Sequence, residues 1–177
     1  TSDKMNKSSI LRHQVNIGSL VIGYQKPVLI QSMTSTPTMD THATVEQVIR
    51  IVDAGAHLVR ITARDIKEAN NLAQIKKELK DRGYDIPLIA DIHFNPKAAN
   101  VAAKIVEKVR INPGNYVDKK TGKTEWTPKE YQEDLQQIKL RLIELVEICK
   151  THQTAIRVGV NHGSLSERVV NKYGDTA

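Results

Sequence analysis

Four short stretches of the sequence repeat one design, and a helical pattern separates each from the next: His57 to Thr62, Pro87 to His93, Lys108 to Asn112 and Ala155 to Asn161. Successive side chains of a strand point to opposite faces. Arg60 and Thr62 therefore oppose Val59 and Ile61, and Asp91 and His93 oppose Leu88, Ala90 and Ile92. Arg110 and Asn112 likewise oppose Val109 and Ile111, and Arg157, Gly159 and Asn161 oppose Ile156, Val158 and Val160. Each strand has an apolar back and a front that is polar towards its C-terminal end. With Val28 to Thr34 ahead of them, five strands alternate with helices, which implies parallel strands joined by right-handed crossovers.

Two architectures satisfy that order, an open doubly wound sheet and a closed barrel. No Gly-x-Gly-x-x-Gly follows any strand, so a dinucleotide site is not supported. A closed barrel takes eight strands in roughly 250 residues. The 177 residues here supply five. The expectation is an α/β fold: a hairpin over 14–24, then βα units 1–5 of a (β/α)8 TIM barrel over 28–177. The chain would be the N-terminal part of a substrate-binding domain.

Local signals set the element boundaries. Gly18-Ser19 suits a type II′ hairpin turn. Thr44 with Gln47 three residues on reads as a capping box for a helix ending near Ala54. Asp65 or a neighbour starts a helix through about Arg82, with Ile66, Ala69, Leu72, Ala73, Ile75 and Leu79 near helical spacing. Asn95-Pro96 opens the third helix and Thr127-Pro128 a long one to about His152. A polar loop spans 113–127, and Gly163 to Ser166 leads into a last helix that breaks near Tyr173-Gly174.

Charge narrows the ligand class. The formal net charge is +6 and the pI about 9.4, which favours acidic partners, whereas aromatics make up only 4%. Single-strand nucleic-acid binding relies on aromatic stacking, so small anions fit better than nucleic acid. The one cysteine, Cys149, permits no disulfide within the chain and reads as inert core on its helix. With a polar N-terminal stretch and no apolar run near the ~20 residues of a membrane span, a soluble cytoplasmic protein with no membrane contact is expected.

Arginines inside a barrel are costly without compensating anions. Guanidinium groups match phosphate oxygens bidentately and stay charged. Arg60, Arg110 and Arg157, with Asn112 and Asn161, therefore read as a substrate-binding cradle for a phosphate or diphosphate. His93 is a candidate hydrogen-bonding or proton-donating group. Asp91 shares its face and is placed to hold an arginine; both are candidate catalytic residues. Taken singly, each arginine reads as an ordinary salt-bridge partner and each asparagine as a turn residue. The shared parity of four strands is what favours an anion site.

Five blocks occur in order: Gln31-Ser32-Met33-Thr34, Val59-Arg60-Ile61-Thr62, Ala90-Asp91-Ile92-His93-Phe94, Val109 to Asn115 and Ile156 to Leu165. Together they resemble the 4-hydroxy-3-methylbut-2-en-1-yl diphosphate synthase family of the non-mevalonate isoprenoid pathway, over about residues 10–175. The resemblance implies a TIM barrel that binds 2-C-methyl-D-erythritol 2,4-cyclodiphosphate at the C-terminal ends of its strands. It implies a separate [4Fe–4S] domain on three cysteines and a glutamate, and a homodimer. Ferredoxin or flavodoxin would supply two electrons for ring opening and dehydration. By motif match, Arg60, His93, Arg110, Asn112, Arg157 and Asn161 would contact the substrate. The cluster cysteines are not in this chain, so it resembles an N-terminal fragment, expected to be inactive alone and to self-associate through its bare sheet edge. The loop after Asn115 resembles the larger forms of the family. The alternatives are a dihydropteroate-synthase-like barrel enzyme and a non-catalytic basic binding module.

Overall fold

In the computed structural model the described residues are 13–92, 95–112, 127–160, 169 and 172–174. They begin with an antiparallel hairpin, β1 (Val15–Ile17) and β2 (Leu20–Ile22), with Ile17 opposite Leu20. Gly18 takes φ +57° at the first turn position and Ser19 keeps a negative φ, as a type II′ turn requires.

Five parallel strands follow in chain order across one sheet: β3 (Gln31–Met33), β4 (Leu58–Ala63), β5 (Leu88–Ile92), β6 (Lys108–Ile111) and β7 (Ala155–Val158). Unbroken neighbour order is the barrel arrangement; a doubly wound sheet reverses at a switch point. Helices α1 (Thr41–Asp53), α2 (Ile66–Asp81), α3 (Pro96–Ala102) and α4 (Pro128–His152) make the crossovers.

The apolar backs of the strands meet the helices in one core. Val59, Ile61, Leu88, Ala90, Val109 and Ile111 pack with Val45 and Val48 of α1, Leu72 and Ile75 of α2, the alanines of α3, and Leu145 and Cys149 of α4. The opposite face is apolar only at its N-terminal end. There Leu58 and Ile89 pack with Ile17, Leu20 and Ile22 of the hairpin. The hairpin is thus a plug under the sheet.

Several boundaries differ from the sequence reading. Helix α1 begins earlier because the Asp40 carboxylate caps it, accepting from the Ala43 amide at 3.0 Å. Thr44 is no cap: its hydroxyl meets that of Thr36 and the carbonyl of Pro37. Gln47 turns outward and its Oε1 accepts from the Ser35 and Thr36 amides, fastening the loop after β3. The first main strand is three residues rather than seven; Val28 and Ile30 stand exposed, and the Ile30 amide donates to His57 Nδ1 at 2.9 Å. On α2, Ile66 and Ala73 are exposed, so the buried stripe is Ala69, Leu72, Ile75 and Leu79. Strand β7 ends at Val158; Val158 and Val160 are exposed, with no described helix over them. Asp65, Asn95 and Thr127 cap their helices as expected, Thr127 in a full capping box with Glu130. His93, Phe94, 113–126 and Asn161 with 162–168 lie outside the described residues.

Candidate functional site

Strand register sorts the plugged face into two levels. Arg60, Ile89, Lys108 and Ala155 are neighbours across β4 to β7, and Thr62, Asp91, Arg110 and Arg157 form the next level towards the C-terminal ends. Ile89 and Ala155 of the first level pack with the hairpin; the second level is polar throughout.

Asp91 is the hub. Its residue is 4% exposed, and its carboxylate meets two guanidinium groups, Arg110 Nη1 at 3.3 Å and Arg60 Nε at 3.6 Å. Among the described residues, one buried carboxylate between two cations leaves excess positive charge, which suits an added anion. Arg60 also donates from Nε and Nη2 to Met33 Sδ at 3.2 and 3.1 Å, a weak acceptor that orients the group without neutralising it. Arg110 reaches the Gly159 carbonyl at 3.5 Å. Gly159 is glycine for a steric reason, since a Cβ there would sit 2.6 Å from Arg110 Nε. Arg157, the register partner of Arg110, is exposed, with no hydrogen bond or ion pair among the described residues.

Of the seven residues expected from the sequence, Arg60, Asp91, Arg110 and Arg157 thus come together on one face, and Asn112 follows Arg110 at 8% exposure. His93 and Asn161 lie outside the described residues. The sequence reading overlooked two members. Met33 had no signal beyond its position in the first block. Lys108 had a clear one, because strand parity puts it on the face of Arg110. It is 8% exposed. Burial, and then repulsion by Arg157 and Arg60, lowers its pKa from the ordinary lysine value.

A hollow of about 560 Å³ opens at the opposite end of the strands, beside Asn16, Gly18 and His152. Two of its polar side chains, Lys76 and Glu107, are committed to structure. Lys76 pairs with Glu107 and donates to the Ile105 carbonyl, and Glu107 accepts from the Leu88 amide at 2.8 Å.

The chain does not fit an iron–sulfur cluster. Cys149 is its one cysteine, it is buried against the core, and burial pushes its thiol up to about 11, away from the thiolate a cluster needs. Among the described residues no three of His, Cys, Asp and Glu are grouped to hold a metal ion. No helix among them is long and apolar enough to cross a membrane.

Residues 12–177 match the family model described as the GcpE TIM-barrel domain. The chain is 53% identical over 176 residues to a protein of Phocaeicola vulgatus named 4-hydroxy-3-methylbut-2-en-1-yl diphosphate synthase (flavodoxin), covering 98% of this chain and 29% of that protein. A protein of Chlamydia felis with the same name is 50% identical over 93% of this chain and 27% of its own length. The chain therefore spans under a third of these relatives. Among solved structures, Burkholderia cenocepacia dihydropteroate synthase complexed with 7,8-dihydropteroate overlaps 93% of this chain and 71% of its own at TM-score 0.46 and 14% identity. A likeness that weak carries no functional argument.

Proposed function

This chain belongs to the GcpE TIM-barrel domain family, and from that premise we propose that it supplies the diphosphate-binding face of a 4-hydroxy-3-methylbut-2-en-1-yl diphosphate synthase. The whole enzyme would convert 2-C-methyl-D-erythritol 2,4-cyclodiphosphate to 4-hydroxy-3-methylbut-2-enyl diphosphate by two-electron reductive ring opening and loss of water. Flavodoxin, which the relatives' names carry, is the electron donor this reading takes. Residues 14–24 would close the bottom of the substrate domain and 28–177 would carry its first five βα units. Any iron–sulfur cluster is held outside this chain, since Cys149 cannot serve it.

The observation that carries the reading is the sharing of Asp91 by Arg60 and Arg110, with Arg157 alongside. Three guanidinium groups against one carboxylate leave charge for an anion of at least two charges, and Arg60 and Arg110, already ordered by Asp91, lose little entropy on binding. In this reading Arg110 and Arg157 grip the diphosphate, and Arg60 holds its other side. Asn112 donates to a bridging or terminal oxygen. Asp91 is the positioning group: it meets both Arg60 and Arg110, which gives the candidate catalytic acid a structural task. His93 and Asn161 would complete the set, with His93 as the proton donor.

Titration of pyrophosphate into wild type and Arg110→Ala tests the proposal. Losing a charge-assisted bidentate contact should weaken binding by about ten-fold or more. Equal affinities would remove Arg110 from the site.

A further inference from the structure

Lys108 shares the arginine face and has no task in the site described so far. It is the first residue of β6, and its register neighbours Ile89 and Ala155 are apolar. Ile89 packs with Ile17, Leu20 and Ile22 of the hairpin, and Ala155 lies against the same cluster. The lysine therefore starts within the apolar plug level and is 8% exposed. Its ammonium makes no hydrogen bond or ion pair among the described residues. A buried lysine charge without a partner is costly, and cores normally exclude one. The cost rises here because Arg157 and Arg60 both repel it. No described ion pair repays that cost.

Resting on the diphosphate reading, we propose that Lys108 is a further substrate-binding residue: its ammonium lies beneath the arginine cluster and donates to a phosphate oxygen of the bound diphosphate. A lysine suits that place better than a further arginine. It is a compact charge with three rotatable donors, able to meet an oxygen from below. The charged groups facing it are Arg60 of β4, Asp91 of β5, Arg110 of β6 and Arg157 of β7; the hairpin residues packed at its level are apolar. The lowered pKa of Lys108 fits this placement, since a bound anion would reverse the repulsion and hold the ammonium charged.

The test uses the full-length protein that carries this chain, with pyrophosphate as the probe and calorimetry and thermal melting as the readouts. Wild type, Lys108→Met and Arg110→Gln are compared, with Lys108→Gln as a second neutral variant should Met fold poorly. Loss of the ammonium should weaken pyrophosphate binding by about ten-fold or more. The ligand-free melting temperature should stay level or rise, because an unpaired buried charge has gone. If Arg110→Gln weakens binding and both neutral variants at 108 bind as wild type does, the Lys108 contact is wrong and the diphosphate reading stands. If Arg110→Gln leaves binding unchanged, the diphosphate reading itself fails. If both neutral variants melt far below wild type, Lys108 is a structural ion-pair partner and the proposal is overturned.

Discussion

The two ends of the same sheet face are built from the same four strands and obey opposite rules. At the N-terminal end Leu58 and Ile89 lie under the hairpin, 3% and 1% exposed. Two residues further along those strands stand Arg60 and Asp91, which pair across the face. A strand rises about 3.3 Å per residue, so the change from dry core to charged cradle takes less than 7 Å. Stability and anion affinity should therefore separate by side-chain type: substitutions of the apolar plug residues should move the first, and substitutions of the charged groups chiefly the second.

The largest effect on stability belongs to the plug. Ile89→Ala should cost about 3 kcal/mol in denaturant unfolding, because the cavity opens between sheet and hairpin, while pyrophosphate affinity holds. A loss of affinity as large as that of Arg110→Ala would show the two levels to be one unit. Next comes Asp91→Asn. Removing one partner of a buried pair costs up to ~5 kcal/mol, but Arg60 and Arg110 keep some water, so about 2 kcal/mol is expected without ligand. That deficit should shrink in saturating pyrophosphate, which replaces the carboxylate as neutraliser; a deficit that ligand leaves intact would make Asp91 purely structural.

Gly159→Ala sharpens the cradle side. The new methyl displaces the Arg110 guanidinium rather than backbone, so several-fold weaker pyrophosphate binding should come with little change in melting temperature. Unchanged binding would place Arg110 outside the ligand's reach.

The smallest effect tests whether charge alone defines the cradle. Glu68 of α2 lies after β4, where its carboxylate takes Arg64 Nη2 at 2.6 Å and the Arg64 amide at 2.7 Å. The Arg64 side chain's hydrogen bonds hold the Glu68 pKa below its ordinary 4.5, partly offset by burial. A depressed pKa contributes stability above the unfolded value and loses it as pH falls through the lower folded one. Glu68→Gln should therefore be slightly destabilising at neutral pH and match wild type in strong acid, with pyrophosphate binding untouched. A difference that persists in acid would remove the ion pair as its cause.

Much of this was legible because parity is a rigid rule. The apolar backs around Val59, Ala90 and Val109, and the shared front of Arg60, Asp91, Arg110 and Arg157, follow from alternation alone. Asp65, Asn95 and Thr127 cap as read because each sits directly before its helix with a free side-chain oxygen. Asp40 was passed over because Thr44 and Gln47 also satisfy a capping-box spacing, and only the tertiary fastening of the loop at 35–36 decides between them. The plugging role of the hairpin was not legible, since nothing in Val15 to Ile22 says which surface covers Leu58 and Ile89. Lys108 was legible and overlooked: a lysine at a strand start looks like a solvated end until the hairpin is in place.

The central claim is that the guanidinium groups of Arg60 and Arg110, gathered by one carboxylate, act on a single anion. A double-mutant cycle of Arg60→Gln and Arg110→Gln, read by pyrophosphate calorimetry, tests it most directly. If both grip one ligand, the double variant should lose less than the sum of the single losses, with a coupling of about 1 kcal/mol or more. Losses that add within about 0.5 kcal/mol, or a single variant that loses nothing, would contradict it.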